Sequence, residues 1–505
     1  MATRISDVMW KQFFEKFAAD GTSLQAQIRQ MMVSAILDRM LPINTPIVSS
    51  RKLATELGVG RNTVVLAYQQ LSDEGYIVAR ERSGYYVNPD VLEGHLGAEK
   101  SVEQDEPVLQ DQFVNWEQRL KISPSTQRSI VKEENWQKYP YPFLYGQFDA
   151  DLFPTANWRE CCMKLLSVME IRDWAPDLIS GDDSSLIEQI RERVLPRRGV
   201  WAEPDEILIT VGAQQALYLL AEVLVSKDTV FGVEDPGYPD IRNIVTQRTP
   251  HKIPLPVDMN GLMLSEDVTK CDYIFVTPSH QCPTTVTMPL ERRKKLLQMA
   301  SQNDFVIIED DYESQNSFYE MPNPALKSMD KEGRVIYIGS LSKSLAPGLR
   351  LGFIVAPKRL IREVRALRRL MVRHPAIFIQ RTFSLFLSLG YFDSLQRKHN
   401  QVFKERAEVM TRALKEHMPD MTFHAIMGGA SCWVRGPDWL KSQELADLAE
   451  KTGVLIEPGD IFFMATNIKS NYFRLGFSSI PQNKIEPGIK KLAEILNEMK
   501  RARAL

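Results

Sequence analysis

The sequence predicts an α/β protein in which a small helical module precedes a large region of alternating strands and helices. Two short amphipathic helical patterns flank a tight glycine turn at residues 58–60. Further on, five apolar runs between residues 206 and 339 are separated by helical patterns or loops. This alternation is typical of a largely parallel sheet buried on both faces. A chain of 505 residues is also too long for one core, so at least two domains are expected.

The composition is that of a globular protein, with 44% hydrophobic and 25% charged residues. It excludes a mostly disordered, collagen-like or coiled-coil chain. The 62 Lys and Arg residues balance 64 Asp and Glu residues, so a nucleic-acid site must be local. Five cysteines without a C-x-x-C pair predict neither a disulfide framework nor a metal site. No signal peptide or membrane span is recognisable, so we expect a cytoplasmic protein without membrane contact.

Three regions differ in pattern: a winged helix-turn-helix over residues 1–90, a linker over 91–140, and a large region over 141–505. The stretch 97–111 has five acidic residues, one lysine and few large apolar side chains. Such a composition cannot bury enough surface to offset chain entropy, so a linker is predicted there. Strands near CWVRG, VLIEPG and YFRLGF, mixed with amphipathic helices, predict a smaller α+β lobe at the end of the large region.

The N-terminal region predicts three helices followed by a two-stranded wing. The second helix begins at Ser50 as its N-cap and the third begins near Arg61, with the glycine turn between them. The start of the third helix is where a recognition helix meets base edges. The second helix and the wing offer phosphate contacts. The candidate DNA-contacting residues are Ser50, Arg51, Lys52, Arg61, Asn62, Thr63, Arg82, Ser83 and Gly84.

A small three-helix module can instead serve oligomerisation or docking. The string SSRKLATELGVGRNTV (49–64) and the wing favour DNA binding. Together they resemble the winged helix-turn-helix of the GntR class of bacterial regulators, which implies double-stranded DNA as a partner.

The most informative string in the large region is YIGSLSKSLAPGLRLGF (337–353). Lys343 has the chemistry to form a Schiff base with an aldehyde cofactor. Ser340, Ser342 and Arg350 surround it and suit a phosphate group. A lone S-x-S-K string would usually be a solvated loop, so other parts of the sequence must support this interpretation.

Three further segments give that support. In FVIIEDDY, Asp310 ends a buried strand, where a carboxylate needs a cationic partner such as a pyridinium nitrogen, and Tyr312 follows it. Ala213 and Gln214 begin a helix whose N-terminus attracts phosphate. Tyr238 follows another strand and is placed to stack on an aromatic ring. All of these follow strand ends, where open α/β sheets bind ligands.

This order of motifs resembles the fold type I, aspartate-aminotransferase-like proteins that bind pyridoxal 5'-phosphate, over residues 141–505. The resemblance implies that Lys343 is the Schiff-base lysine, that Asp310 pairs with the pyridine nitrogen, and that Tyr312 holds the ring oxygen. It implies that Arg474, in YFRLGFSS, binds a ligand carboxylate. It also implies a stacking residue and a phosphate-binding set, which are Tyr238, Ala213, Gln214, Ser340, Ser342 and Arg350.

Two segments depart from the family pattern. Where such enzymes commonly have Asn-Pro-Thr-Gly, this chain has TPSHQCPTT. His280 or Gln281 is therefore expected to contact the ring oxygen, and Thr285 replaces the glycine. Relatives that sense γ-amino acids have an arginine two positions after the stacking tyrosine. Here that residue is Asp240, which argues against a γ-aminobutyrate ligand.

The order of the two domains resembles the MocR subfamily of GntR regulators. It implies a homodimer, head-to-tail. We expect it to sense an amino compound with a carboxylate or sulfonate, which displaces Lys343 from the cofactor and forms an external aldimine. Three alternatives stay open: an aminotransferase, wholly or partly active, that has a DNA-binding module; a sensor of pyridoxal phosphate itself that controls vitamin B6 supply; and a cofactor-free scaffold, which Lys343 argues against.

Overall fold

A computed structural model describes residues 9–17, 21–81, 83–92, 114–179, 181–313, 317–318, 323–465 and 470–504. The chain forms two compact units, Met1–Trp116 and Glu117–Leu505. The described stretch 117–140 therefore belongs to the second unit, whereas the whole acidic stretch 97–111 lies outside the described residues. Among the helices of the described residues, none is long and apolar enough to cross a membrane.

The first unit is a small helical core with a hairpin. Its elements are α1 (Met9–Glu15), α2 (Leu24–Leu37), α3 (Ser50–Leu57), α4 (Arg61–Asp73), β1 (Ile77–Arg80) and β2 (Gly84–Val87), with β1 and β2 antiparallel. The side chain of Ser49, rather than the predicted Ser50, caps α3 by accepting the N–H of Lys52 at 3.3 Å. Gly58 ends α3 with a φ of 68°, as its predicted place after the helix requires. The predicted winged helix-turn-helix is confirmed.

The second unit contains both α-helices and β-strands. Its helices are α5 (Trp116–Arg119), α6 (Thr155–Lys164), α7 (Val168–Trp174), α8 (Ser184–Gln189), α9 (Gly212–Leu224), α10 (Pro239–Thr246), α11 (Leu290–Asn303), α12 (Leu326–Met329), α13 (Lys358–Val372), α14 (Ile377–Ser388), α15 (Tyr391–His417), α16 (Ser442–Lys451) and α17 (Gln482–Ala504). Its strands are β3 (Tyr141–Pro142), β4 (Ile207–Thr210), β5 (Phe231–Asp235), β6 (Lys252–Asp258), β7 (Gly261–Leu262), β8 (Tyr273–Val276), β9 (Val306–Asp311), β10 (Val335–Ser340), β11 (Gly352–Val355), β12 (Thr422–Phe423), β13 (Ser431–Arg435), β14 (Val454–Leu455), β15 (Glu457–Pro458) and β16 (Tyr472–Gly476).

The larger sheet has eight strands in the order β4-β11-β10-β9-β8-β5-β6-β7. Strands β10, β9, β8, β5 and β6 are parallel, whereas β11 is antiparallel to both of its neighbours. The five predicted runs correspond to β4, β5, β8, β9 and β10, so the predicted α/β sheet is confirmed. Because β5, β8, β9 and β10 are parallel, their carboxyl ends lie along one edge of the sheet.

A smaller antiparallel sheet, in the order β12-β13-β16-β15, forms the predicted second lobe. Its apolar face packs with residues of α15, α16 and α17 in one buried cluster. Strand β16 contains Arg474, which pairs in register with Trp433 of β13 and Glu457 of β15. This register brings a buried arginine and a buried carboxylate side by side.

Strand β11 passes very close to the start of α9. A Cβ atom built on Gly352 would lie 2.8 Å from the carbonyl carbon of Gly212 and 2.9 Å from the amide nitrogen of Ala213. Real Cβ atoms do not approach backbone atoms so closely, because the overlap is strongly repulsive. Only glycine at this position allows the strand and the helix N-terminus to meet.

We predict that Gly352→Ala destabilises the second unit by about 1–3 kcal/mol, because the strand or helix start must move. Gly348→Ala is the matched control, since nothing lies within 4 Å of a Cβ at that position. Urea unfolding of both variants measures the difference. Equal midpoints for the two variants would contradict the close approach described above.

Candidate functional site

A cavity of about 440 Å³ lies at the carboxyl edge of the large sheet. Its walls come from the ends of β9 and β10, the starts of α9 and α10, strand β16, and the segment 130–146. Ten of the residues singled out from the sequence line it. They are Ala213, Gln214, Tyr238, Asp310, Tyr312, Ser340, Ser342, Lys343, Arg350 and Arg474. Motifs that are far apart in the sequence thus meet in one place.

Three consecutive carboxylates end strand β9, and only the middle one lines the cavity. Successive side chains of a strand point to opposite faces. Asp311 accepts a hydrogen bond from Arg198 at 2.7 Å, and Glu309 lies 3.9 Å from Arg293, so both have buried cationic neighbours. The Oδ1 atom of Asp310 is buried and has no hydrogen-bond partner among the described residues. Burial raises the pKa of Asp310 to about 7, so a cation in the cavity is needed to hold it ionised.

Lys343 follows β10 in a short helical turn and lies between two aromatic rings. Its Nζ atom is 4.1 Å from the ring centre of Tyr312 and 4.4 Å from that of Tyr145. Burial lowers the pKa of Lys343, while the negative charges of Glu313 and Asp310 act in the opposite direction. A larger fraction of the amine is therefore neutral, and only the neutral amine is a nucleophile.

One end of the cavity has two features that favour an anion, a helix N-terminus and an arginine side chain. Helix α9 begins there at Gly212, which has a φ of 73°, and the first N–H groups of a helix have no acceptor within it. The guanidinium of Arg350 lies against this end, with its Nη2 atom 3.4 Å from the carbonyl oxygen of Val211. Ser340 also lines this part of the cavity. The hydroxyl of Ser342 instead donates to the carbonyl oxygen of Leu351 at 3.0 Å.

A hydrogen-bonded triangle holds the ring of Tyr238 in the cavity wall. Its hydroxyl lies 2.8 Å from Oε1 of Gln214 and 3.1 Å from Oδ2 of Asp240. The amide of Gln214 closes the triangle by donating to Asp240 at 3.1 Å. Burial and the nearby Asp240 carboxylate raise the pKa of Tyr238 well above its usual value, so the phenol keeps its proton. The ring is fixed as a flat apolar surface facing the cavity.

Arg474 is buried, with 2% of its surface exposed. Its Nε atom donates to Oε2 of Glu457 at 2.7 Å. Its guanidinium carbon lies 4.2 Å from the ring centre of Tyr145 and 4.6 Å from that of Phe462. The pairing with Glu457 uses one edge of the guanidinium and raises the pKa of Arg474. The residue also lines the cavity, so it is positioned to meet a ligand anion.

The structure does not bring His280 or Gln281 to this cavity, so their expected contact with a ring oxygen does not fit. The amide nitrogen of Gln281 donates to Oε2 of Glu234 at 3.2 Å and to the carbonyl oxygen of Pro236 at 2.8 Å. Its Oε1 atom accepts from Thr284 at 2.6 Å. His280 is buried and faces a different cavity, and burial lowers its pKa to about 4.

Cys282 lines the cavity in their place and immediately precedes Pro283. When Pro283 is aligned with the proline of Asn-Pro-Thr-Gly, Cys282 takes the place of the asparagine. The sequence therefore contains the information that points to Cys282. Tyr312 does line the cavity, but its hydroxyl donates to the carbonyl oxygen of His280 at 2.7 Å. Thr285 keeps the left-handed conformation of the glycine it replaces, with a φ of 62°.

Sequence reasoning also missed Lys132 and Ile130, which line the cavity from within the predicted linker. The surrounding segment is bound to the second unit: Gln127 donates to the carbonyl oxygen of Asn243 at 3.0 Å, and Asn243 donates back to that of Arg128 at 2.7 Å. Local composition held no signal for this contact, because it joins residues that are distant in the sequence.

In the first unit, Arg61 and Asn62 are exposed at the start of α4, with Thr63 half-buried behind them. Arg51 and Lys52 are exposed on the first turn of α3, and Ser50 is half-buried. On the hairpin, Ser83 and Gly84 are exposed. Arg82 lies outside the described residues. At the starts of α3 and α4 these polar side chains are thus on the exposed side, while the apolar side chains of both helices are buried in the core.

Comparisons with known proteins agree with this description. The model of aminotransferase class I and II matches residues 181–492, and that of bacterial regulatory proteins of the gntR family matches residues 24–87. The HTH-type transcriptional regulator TauR of Rhodobacter capsulatus is 39% identical, covering 94% of this chain and 96% of that protein. The probable rhizopine catabolism regulatory protein MocR of Rhizobium meliloti is 29% identical, covering 93% of each chain.

Among solved structures, LysN, an α-aminoadipate aminotransferase from Thermus thermophilus, matches with a TM-score of 0.70 and 25% identity. The match covers 77% of this chain and 100% of that one, which is complexed with N-(5'-phosphopyridoxyl)-L-leucine. Fold and cavity thus define a helix-turn-helix protein with an aminotransferase-like domain of fold type I. The chain belongs to the MocR-type group of the GntR family of transcriptional regulators.

The buried Asp310 predicts a specific dependence of stability on pH in the ligand-free protein. The native carboxyl keeps its proton up to about pH 7, whereas the unfolded chain releases it at about pH 4. Between these values the native state binds more protons, so the contribution of Asp310 to stability falls as the pH rises. Asp310→Asn removes this contribution and should be more stable than the wild type by about 1 kcal/mol or more at pH 8.

Denaturant unfolding at pH 5 and pH 8 measures this difference, and subtracting the wild-type values cancels the other titrating groups. Asp330→Asn serves as the control, because the pKa of Asp330 is lowered in the folded protein. Its carboxyl is ionised in both the folded and the unfolded chain from pH 5 to pH 8, so this variant should be less stable than the wild type by the same amount at both pH values. A stability difference for Asp310→Asn that does not grow with pH would refute the raised pKa.

Proposed function

We propose that this transcriptional regulator binds pyridoxal 5'-phosphate at Lys343 and responds to a primary amine with an acid group by changing its affinity for DNA. The observation that supports this proposal is the buried carboxylate of Asp310, which shares one cavity with a lysine of lowered pKa and with the N-terminus of helix α9. These three features match the pyridine nitrogen, the aldehyde and the phosphate of the cofactor. The residues present therefore fit this group.

The proposed roles follow from the chemistry of each side chain. Bound pyridoxal phosphate supplies an aldehyde carbon that condenses with primary amines. Asp310 pairs with the ring nitrogen, and Tyr238 covers a face of the ring. Tyr312 is the proposed partner of the ring oxygen, which requires its hydroxyl to turn away from the carbonyl of His280. The proposed phosphate-binding residues are Ala213, Gln214, Ser340, Ser342 and Arg350, and for Ser342 this requires its hydroxyl to turn away from the carbonyl oxygen of Leu351.

The ligand response depends on competition at the amine of Lys343. A ligand amine that takes the place of Lys343 frees the lysine side chain, and Arg474 binds the acid group of the ligand. A ligand shifts a conformational equilibrium only through unequal affinity for its two states. Release of Lys343 and contact with Arg474 supply that inequality, so ligand binding and DNA binding become coupled.

On the DNA side, the start of α4 is the proposed reader of base edges. Arg61 suits guanine and Asn62 suits adenine in the major groove. Phosphate contacts are proposed for Ser50, Arg51 and Lys52 on α3 and for Ser83, Gly84 and Arg82 of the wing. We further propose a head-to-tail homodimer that reads two half-sites of a double-stranded operator and acts in the cytoplasm.

A working aminotransferase is the second candidate function. The observation that favours it is that Lys343 and Asp310 meet in one cavity, as transamination requires. Incubation with an amine and a keto acid separates the two functions. Sustained turnover would establish an enzyme, whereas one spectral change without turnover would establish a sensor.

We predict that Lys343→Ala abolishes the borohydride-stable attachment of pyridoxal phosphate, because Lys343 is the proposed Schiff-base lysine, whereas Lys132, the other lysine lining the cavity, lies beside Glu457. Mass spectrometry after reduction measures the attached cofactor. Lys358→Ala removes an exposed lysine and should keep full attachment. Attachment that survives in Lys343→Ala would show that another residue holds the cofactor.

We predict that Arg61→Ala weakens binding to the selected operator about 5- to 100-fold, as loss of one base-contacting arginine typically does. The visible spectrum of the bound cofactor should not change. Lys415→Ala removes the same charge from an exposed position on α15 and should bind DNA as the wild type does. Fluorescence anisotropy at fixed salt measures both affinities, and an unchanged affinity for Arg61→Ala would exclude this residue from the interface.

A further inference from the structure

Lys132 is a cation of the cavity that comes from the chain segment before the first strand of the second unit. Its Nζ atom donates to the backbone carbonyl oxygen of Tyr145 and lies 3.9 Å from Oε1 of Glu457. About a quarter of its side chain stays exposed, at 28%, and the residue lines the cavity. Lys132 therefore approaches Glu457 from one side while Arg474 approaches it from the other.

The charges of this cluster do not balance. Arg474 and Lys132 are two cations, and Glu457 is the one carboxylate within 4 Å of either among the described residues. Arg474 uses Oε2 of Glu457, whereas the buried Oε1 atom accepts no hydrogen bond among the described residues. Two cations thus share one carboxylate at close range, while the buried Glu313 acts on Arg474 from farther away. A small monoanion between the two cations would gain donors from two directions.

The titration of Lys132 is consistent with this excess of positive charge. Burial, together with the nearby charges of Arg474 and Lys343, lowers the pKa of Lys132 to about 8, and Glu457 only partly opposes the shift. An anion placed between Lys132 and Arg474 would favour the charged form of the lysine. Ligand binding and full protonation of Lys132 would then support each other.

We propose that Lys132 and Arg474 together bind the acid group of the ligand, a carboxylate or a sulfonate. This proposal rests on the proposed function, which already assigns Arg474 but not Lys132. It makes the segment 127–132 part of the ligand site. That segment is anchored at two places. It exchanges hydrogen bonds with Asn243 of α10, and Arg128 donates to the carbonyl oxygen of Ala465, in the loop after β15, at 3.2 Å.

The position of Lys132 in the chain gives the contact a regulatory consequence. Residues 93–113 precede this segment and lead back to the DNA-binding unit. A ligand anion held by Lys132 would add a contact to the segment 127–132, which follows those residues in the chain. Binding of the ligand would thus involve a segment that lies in sequence between the DNA-binding unit and the strands of the second unit, in addition to its effect at Lys343.

The test uses the cofactor-loaded, full-length protein and three amines. They are 3-aminopropanoate, 2-aminoethanesulfonate and n-propylamine, which lacks an acid group. The visible spectrum of the cofactor gives the half-saturating concentration of each. Lys132→Met should raise this concentration at least tenfold for at least one of the two acids, and by less than threefold for n-propylamine. Lys132→Arg keeps the charge and should restore most of the acid affinity.

Lys138→Met is the matched control, because Lys138 is an exposed lysine of the same segment. The two acids distinguish a carboxylate from a sulfonate ligand. Amide hydrogen exchange supplies a second readout: the acid that binds should slow exchange in residues 127–140 of the wild type but not of Lys132→Met.

Two results would overturn the proposal in different ways. If the wild type prefers an acid and Lys132→Met keeps that preference, Lys132 has no role in ligand binding although the proposed function stands. If none of the three amines changes the wild-type spectrum, the proposed ligand response fails and the role of Lys132 fails with it.

Discussion

The site depends on how three adjacent carboxylates are shared between the two faces of strand β9. Asp311 is paired with the buried Arg198, which lowers its pKa, and Glu309 lies near the buried Arg293 and accepts the N–H groups of Leu326 and Lys327. Asp310 lines the cavity without a hydrogen-bond partner for Oδ1 among the described residues. An unpaired buried carboxylate is costly in free energy, and a nearby cation reduces that cost. The cavity therefore favours a cation beside Asp310.

Most cationic groups of this cavity come from loops and helix ends, whereas Arg474 comes from strand β16 of the smaller sheet. Lys343 and Arg350 follow β10, and the N-terminus of α9 meets β11 so closely that only Gly352 fits. Lys132 and Arg474 flank Glu457 farther along the wall. Each group alone is ordinary, but the parallel sheet places them within one cavity. This arrangement joins cofactor binding to recognition of an acid group.

The sequence predicted the features that depend on local pattern. The strand runs, the S-x-S-K string around Lys343 and the end of β9 at Asp310 are all encoded by neighbouring residues. Lys132 escaped prediction because its contact with Glu457 joins distant parts of the chain. Strand β11 escaped because it is only four residues long, GFIV, and follows directly on the glycine-containing string around Lys343. The sequence pattern points to His280 or Gln281 as a cavity residue, whereas Cys282, which precedes Pro283, lines the cavity.

The proposed function requires that the ligand cavity and the DNA-binding unit are thermodynamically coupled. The most direct measurement is an amine titration, followed by the cofactor's visible spectrum, with and without a saturating operator fragment selected from random DNA. If ligand changes DNA affinity, DNA must change ligand affinity by the same factor. We predict half-saturating concentrations that differ at least fivefold between the two titrations. Coinciding curves would mean that the cavity does not control DNA binding.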